Sequence, residues 1–167
     1  MKGAEFEFNG TPIDGLHLTW NVGLLHSRFE EYLSTSLIDD SPLDRSGESF
    51  NNVPDFTTLL AAQYSLPLET GAAWLSGWFT PRVEWYYRSA VHLTGPELAS
   101  SQQPGVGLLN ARFSYDFMDD RAQVALWGRN LTDERYKTDS LPVTVLGFDN
   151  VYYAPGRTWG AELSYRF

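Results

Sequence analysis

The sequence predicts an all-β, antiparallel structure. Apolar and polar residues alternate with period two along seven separate segments, and no segment repeats at the spacing of a helix. The connections between these segments run short, long, short, long, short, long, which is the order of a meander with one elaborated end.

The first segment, KGAEFEFN, sets Ala4, Phe6 and Phe8 against Gly3, Glu5 and Glu7. In the second, Leu16, Leu18, Trp20, Val22 and Leu24 alternate with His17, Thr19, Asn21 and Gly23. The third runs from Phe56, with Leu60, Ala62, Tyr64 and Leu66 opposite Thr57, Gln63 and Ser65. A fourth starts at Ala73, where Leu75, Phe79, Val83, Trp85, Tyr87 and Val91 oppose Ser76, Arg82, Glu84, Arg88 and His92. Pro81 lies inside it and lacks a ladder N–H, which predicts a bulge or break within 72–92. In the fifth, Leu109, Ala111, Phe113, Tyr115 and Phe117 alternate with Asn110, Arg112, Ser114 and Asp116. The sixth is less clean, with Val124 and Leu126 beside Gln123, Ala125 and Trp127. The last, GAELSYRF, places Ala161, Leu163, Tyr165 and Phe167 on one face and Gly160, Glu162, Ser164 and Arg166 on the other.

NGTPIDG, PLETG and MDD are short and rich in turn residues, whereas the stretches 34–54, 94–106 and 132–156 are long and read as loops. Long loops on one side only are the rule in transmembrane barrels. The run Leu16–Leu24 would span about 25–30 Å, near the height of a barrel's apolar band. Aromatic residues gather toward strand ends on the apolar face: Phe6, Phe8, Tyr64, Trp85, Tyr87, Tyr115, Phe117, Trp159, Tyr165 and Phe167. The opposite face carries Glu5, Glu7, Arg82, Glu84, Arg88, Arg112, Asp116, Arg129, Glu162 and Arg166, as a polar lumen would. These features favour a membrane barrel, but a soluble β-sandwich shows the same alternation and stays open at this point.

Length and charge narrow the function. The 167 residues carry a formal net charge of −9 without a basic stripe, which argues against nucleic-acid binding. There is no cysteine, so disulfides and thiolate metal sites are excluded. No apolar run reaches the length of a membrane helix. The opening MKGAEFEFNG has two glutamates where a secretory leader has its apolar core.

No catalytic, metal or cofactor site emerges from the motifs. NLT at 130–132 matches a glycosylation acceptor but reads as part of a strand end, and GVGLLN at 105–110 lacks the third glycine of a dinucleotide loop. His17, His26 and His92 have no metal spacing. Asp39, Asp40, Asp44 and Glu48 lack the ligand positions of a calcium loop and read as a solvated acidic loop. Glu84 and Asp116 share the polar face without the signs of an acid–base pair, and no serine-hydrolase elbow is present.

Two segments carry a family resemblance. VALWGRNLTDERY (124–136) followed by YYAPGRTWGAELSYRF (152–167) resembles the end of a TonB-dependent outer-membrane receptor, with Asn130, Leu131, Asp133, Tyr136, Pro155, Arg157 and Phe167 at the matching positions. KGAEFEFNGTPIDGLHLTWNVGLLHSRF is similar to the family's Gly-x-Glu hairpin, and NVPDFTTLLAAQYSLPL to the later strand that follows a proline. The resemblance implies the last seven or so strands of a barrel of roughly 22, with chain 1–167 its carboxyl-terminal part and the signal peptide, energy-coupling box and plug absent.

It further implies no enzyme and no cofactor, but a piece of an active importer in the outer membrane of a Gram-negative bacterium. The nutrient would be scarce, a ferric siderophore first, with haem, cobalamin and oligosaccharide as other cargoes of the family. Implied partners are outer-membrane lipid, the rest of the barrel and its plug, the TonB system through the absent amino-terminal part, and the barrel-assembly machinery. Gly160, Leu163, Tyr165 and Phe167 fit the family's assembly signal. Tyr32, Phe50, Tyr136, Phe148, Tyr152 and Tyr153 are the loop aromatics placed to meet a planar ligand. A small autonomous or oligomeric barrel and a soluble carbohydrate-binding sandwich are the alternatives.

Overall fold

The computed structural model describes the backbone of residues 1–167 and every side chain except that of Val145. Strands β1 (Lys2–Ile13) and β2 (Leu16–His26) form the first hairpin, closed by Asp14 and by Gly15 at φ +81°. In the connection that follows, β3 (Leu33–Thr35) and β4 (Pro42–Asp44) pair as a small ribbon. Then come β5 (Phe56–Tyr64), β6 (Leu66–Leu68), a 3-10 turn at Ala73–Leu75 and β7 (Gly77–Arg88). The second long connection holds the two-residue strands β8 (Val91–His92) and β9 (Gln102–Gln103). It leads to β10 (Val106–Phe117) and β11 (Ala122–Arg129), joined through Met118, Asp119 and Asp120, all at positive φ. The third connection contains β12 (Lys137–Val143) and β13 (Phe148–Tyr153), and β14 (Thr158–Tyr165) follows.

The main sheet has the order β1-β2-β5-β7-β10-β11-β14, antiparallel throughout, with β6 continuing the β5 side of β7. Its outer strands, β1 and β14, do not pair with each other, so the sheet is open. All three elaborated connections leave the same edge of the sheet and all three tight turns leave the opposite one, as the sequence predicts.

Register turns the alternation into two surfaces. Phe8, Trp20, Leu60, Trp85 and Leu109 align across five strands, and Phe79, Tyr115, Val124 and Leu163 across four. Most of these side chains are exposed: Leu163 is 77% exposed, Phe8 45% and Trp20 44%. Among the described residues the largest fully buried side chains are serines, and the buried apolar set is only Ala61, Val91, Leu93, Leu98, Val106, Ala122 and Ala125. A sandwich must bury one face of each sheet against the other. Here no second sheet lies on either face, and the other three sheets are two-stranded ribbons in the connections. The apolar face is therefore suited to hydrocarbon, and the soluble sandwich is not what this sequence forms. One polar pair on this face is internally satisfied: Trp20 Nε1 donates to Thr58 Oγ1 at 3.1 Å, which donates to the Asn21 carbonyl at 2.9 Å.

Three expectations need correction. Strand β7 neither bulges nor breaks at Pro81, which sits in register opposite Phe113 of β10. The interruption lies in the neighbouring strand, between Gln63↔Arg82 and Leu66↔Phe79, where Ser65 donates instead to the Gly15 carbonyl at 2.8 Å. A missing N–H costs nothing where the facing ladder has already lapsed. The fourth segment also starts later than its alternation suggests, because Ala73–Leu75 coils and strand pairing begins at Gly77. Finally, 132–156 is not plain loop, since β12 and β13 form a hairpin closed by Gly147 at φ +76°.

Candidate functional site

The polar face, the elaborated edge and the turn between β11 and β14 hold the chemistry of this chain. At that turn, Asn130 adopts φ +52° and is 6% exposed. Its N–H donates to Asn110 Oδ1 at 2.9 Å, and its side-chain amide pairs with both backbone groups of Glu134, each at 2.9 Å. One asparagine side chain thus replaces a strand partner for a residue four positions on. Leu131 lies against Gly128, where an added Cβ would come within 2.5 Å of it. Asp133 Oδ1 accepts the N–H of Arg157 at 2.8 Å, and Arg157 Nη1 reaches the Leu131 carbonyl at 3.4 Å. The turn therefore fixes the end of β11 and the start of β14 together.

On the elaborated edge the three connections interlock. Arg45, 6% exposed, donates to Glu97 Oε1 at 2.5 Å and to Glu48 Oε2 at 3.2 Å. Glu97 also takes the Leu37 N–H at 3.3 Å, and the Asn52 N–H donates to the His92 carbonyl at 2.6 Å. Burial pushes the Glu97 carboxyl up, but hydrogen bonds, led by that from Arg45, outweigh it and hold it below the ordinary glutamate value. Burial likewise disfavours the charged Arg45, and its bonds to Glu97 and Glu48 more than restore it. The second connection is tied to the third by Lys137, whose Nζ donates to the carbonyls of Ser100 and Gln102 at 2.9 Å and Ala99 at 3.4 Å. Thr94 Oγ1 donates to the Ser140 carbonyl at 2.5 Å, and Ser100 Oγ to Asp149 Oδ2 at 2.6 Å.

Arginines dominate the polar face of the central strands. Arg82 and Arg112 stand opposite each other in register. Arg82 pairs with Glu84 at 2.9 Å, and Arg112 with Glu162 at 3.0 Å. Asp116 accepts from Gln123 at 2.6 Å. Trp127 is on this face opposite Gly160, where an added Cβ would come within 2.7 Å of the indole. Arg129 lies over that ring at 5.4 Å.

A family model for the TonB dependent receptor-like β-barrel matches residues 1–131 of this sequence. The chain belongs to that family. Among solved structures, the siderophore receptor PiuA from Acinetobacter baumannii is similar, with a TM-score of 0.71 and 19% identity over 98% of this chain. Identity at that level shows the shared fold. This chain spans 21% of that receptor's length.

In a TonB-dependent receptor barrel the apolar face meets lipid and the polar face lines the lumen. The loop aromatics named from the sequence do not form one cluster. Phe50 packs on Phe29 at 4.5 Å, and Phe29 on Tyr32 at the same distance, beside a cleft of about 160 Å³ that also touches Arg45 and Thr94. Tyr136 stacks instead under Arg88 at 5.8 Å. Phe148, Tyr152 and Tyr153, at 50%, 51% and 60% exposure, stand on the β13 ribbon. Of the terminal residues, Leu163 and Tyr165 are on the lipid face and Tyr165 packs edge-on against Phe167 at 5.2 Å, whereas Gly160 is opposite the lumenal Trp127. Pro155 lies between β13 and β14.

The acidic residues of the first connection do not converge. Asp39 is engaged by Ser41 and Asp44 by Ser46, and both carboxyls are held below the ordinary aspartate value chiefly by those serine hydroxyls. Among the described residues no three His, Cys, Asp or Glu side chains are grouped to hold a metal. Sequence reasoning missed Arg45 and Lys137, because what matters about them is burial and non-local carbonyls. Trp127 carried a visible signal, the imperfect alternation of the sixth segment.

Proposed function

We propose that residues 1–167 form the last seven strands of the wall of a TonB-dependent importer in the outer membrane of a Gram-negative bacterium. The observation that carries this is the family match over residues 1–131, together with a sheet that exposes one apolar face and has no core of its own. The two unpaired edges support the same reading. In lipid every unpaired backbone group costs several kcal/mol, so β1 and β14 need further strands beside them. Those strands, and a plug that responds to TonB, belong to the remainder of the receptor.

The cargo is a scarce nutrient, a ferric siderophore in the first instance, by analogy with the similar receptor. It meets this sector at the three loops, with Tyr32, Phe50, Tyr136, Phe148, Tyr152 and Tyr153 as the stacking surfaces. Gly160, Leu163, Tyr165 and Phe167 are presented to the barrel-assembly machinery. The protein works by binding and passage rather than by catalysis.

The test is the size of the native product in purified outer membranes, detected with antibody to 132–156, followed by uptake of ferric siderophores in a deletion strain. A product several times the length of this chain and a loss of uptake are expected. A product of 167 residues in that fraction would refute the importer and require assembly from several copies.

A further inference from the structure

We infer that the apolar face of β1, β2 and β5 binds an anionic, phosphate-bearing lipid of the outer leaflet. Its headgroup lies on Lys2, His26 and Arg28, and one acyl chain lies in a groove over Ala62. The β1–β2 register runs unbroken from Gly10↔Leu18 to Lys2↔His26. Lys2 and His26 therefore stand on the same face as Phe8 and Trp20, at its elaborated end, which is the outer side of a barrel of this family. Glu5 and Glu7 of the same strand are on the opposite face. Arg28 Nε donates to His26 Nε2 at 2.9 Å, and Arg28 Nη1 donates to the Gly47 carbonyl at 2.8 Å, which holds the guanidinium beside the imidazole. His26 keeps its other ring nitrogen as a donor. All three side chains are exposed. In a chain of net charge −9 they gather cations where a barrel meets lipid headgroups.

The groove lies below these cations on the same face. Two indoles lean toward the elaborated edge: Trp20 reaches Thr58, and Trp85 lies over Gly107, where an added Cβ would come within 3.0 Å of its Nε1. Ala62, in the next row of that face, is thereby left exposed between Leu18 and Val83, as the floor of a groove of about 470 Å³. Walls of rings and aliphatic side chains match a hydrocarbon chain and offer nothing to a polar ligand. The depth agrees as well. Lys2 and Phe8 are six residues apart, about 20 Å along the strand and about 15 Å of depth at the usual tilt of a barrel strand. One leaflet of hydrocarbon is also about 15 Å deep, so a lipid held by its phosphate at Lys2 brings the end of its chain to the groove. The plug lies on the other face of the sheet. A strand added to the free edge of β1 extends this face sideways without covering it.

The inference rests on the reading of this sheet as a membrane wall, and not on the cargo. The native product is purified in detergent and titrated with phosphatidylglycerol, or with diacylglycerol of the same acyl chains, and bound lipid is counted by native mass spectrometry. The mobility of unheated samples on a gel reports that each variant is folded. Phosphatidylglycerol is expected to bind about tenfold or more tightly than the phosphate-free lipid. Lys2→Gln and Arg28→Gln should each weaken phosphatidylglycerol about fivefold and leave diacylglycerol unchanged. Ala62→Leu, which fills the groove, should weaken both lipids. Arg121→Gln, the same loss of charge at the opposite edge, should leave both unchanged. Equal affinity for the two lipids, no effect of Lys2→Gln and Arg28→Gln, or an equal loss in Arg121→Gln would each overturn the inference. So would displacement of the lipid by millimolar inorganic phosphate with Ala62→Leu binding as the parent does, which would leave a bare anion contact. An outer-membrane product of full receptor length that lacks this lipid preference would sink the lipid site and leave the importer. Unchanged siderophore uptake in the deletion strain, with the preference intact, would refute the cargo and leave the lipid site standing.

Discussion

Substitutions at Asn130 separate two contributions that the turn combines. The side chain makes one bond to the Glu134 carbonyl and one to its N–H, each worth about 1 kcal/mol. The backbone sits at φ +52°, where alanine is strained by about 1–2 kcal/mol and asparagine and glycine are tolerated. Asn130→Asp keeps the acceptor and the tolerance but loses the donor, so it should cost about 1 kcal/mol. Asn130→Gly loses both bonds without backbone strain, about 2 kcal/mol, and Asn130→Ala loses both and adds strain, about 3–4 kcal/mol. The assay is urea unfolding of the detergent-solubilised barrel, read as the mobility shift between unheated and heated samples on a gel. The order Asp, Gly, Ala is the prediction. Equal destabilisation by glycine and alanine would remove the backbone contribution, and three neutral variants would refute the structural role of the turn altogether.

Glu97→Gln should raise hydrogen exchange at the Leu37 and Asn52 amides, because it leaves Arg45 with Glu48 as its only carboxylate. A loss of about 2 kcal/mol means roughly 30-fold faster exchange there, with the main sheet unaffected. The same clasp responds to acid. Glu97 titrates below its ordinary value when folded, so its contribution is complete above that ordinary value and vanishes as pH falls through the depressed one. Protease sensitivity of 27–55 should rise over that window, and not above it. Gly160→Val should weaken the β11–β14 pair by about 1–3 kcal/mol through the clash with Trp127, and Trp127→Ala should relieve most of that in a double-mutant cycle. Lys137→Met removes three carbonyl contacts and should speed proteolytic cleavage of both 93–105 and 137–153.

The main sheet was legible because both of its faces impose chemistry. In a barrel of this family, lipid on one side and a polar lumen on the other force period two even at exposed positions, so the seven long strands show in residues such as Phe6 and Glu7 or Phe113 and Arg112. The loop ribbons have no such pressure. In β12, Ser140 is buried beside exposed Leu141, the reverse of what hydropathy suggests. Pro81 misled because its tolerance depends on a gap in β5–β6, which is information about a neighbour rather than about β7. The motif positions Asn130, Asp133 and Arg157 were visible as a pattern, but the reciprocal bonds that use them were not.

Arg45 and Lys137 each fasten one connection to the next, which makes the elaborated edge a braced shell rather than three separate flaps. A braced shell yields at its supports. The ties pass a push on one connection to the next, and the assembly rests on the strand ends near His26, Arg88 and Arg129. A length change in one loop would have to fit the geometry of the other two, whereas substitution at the exposed Tyr152 and Tyr153 leaves these ties in place.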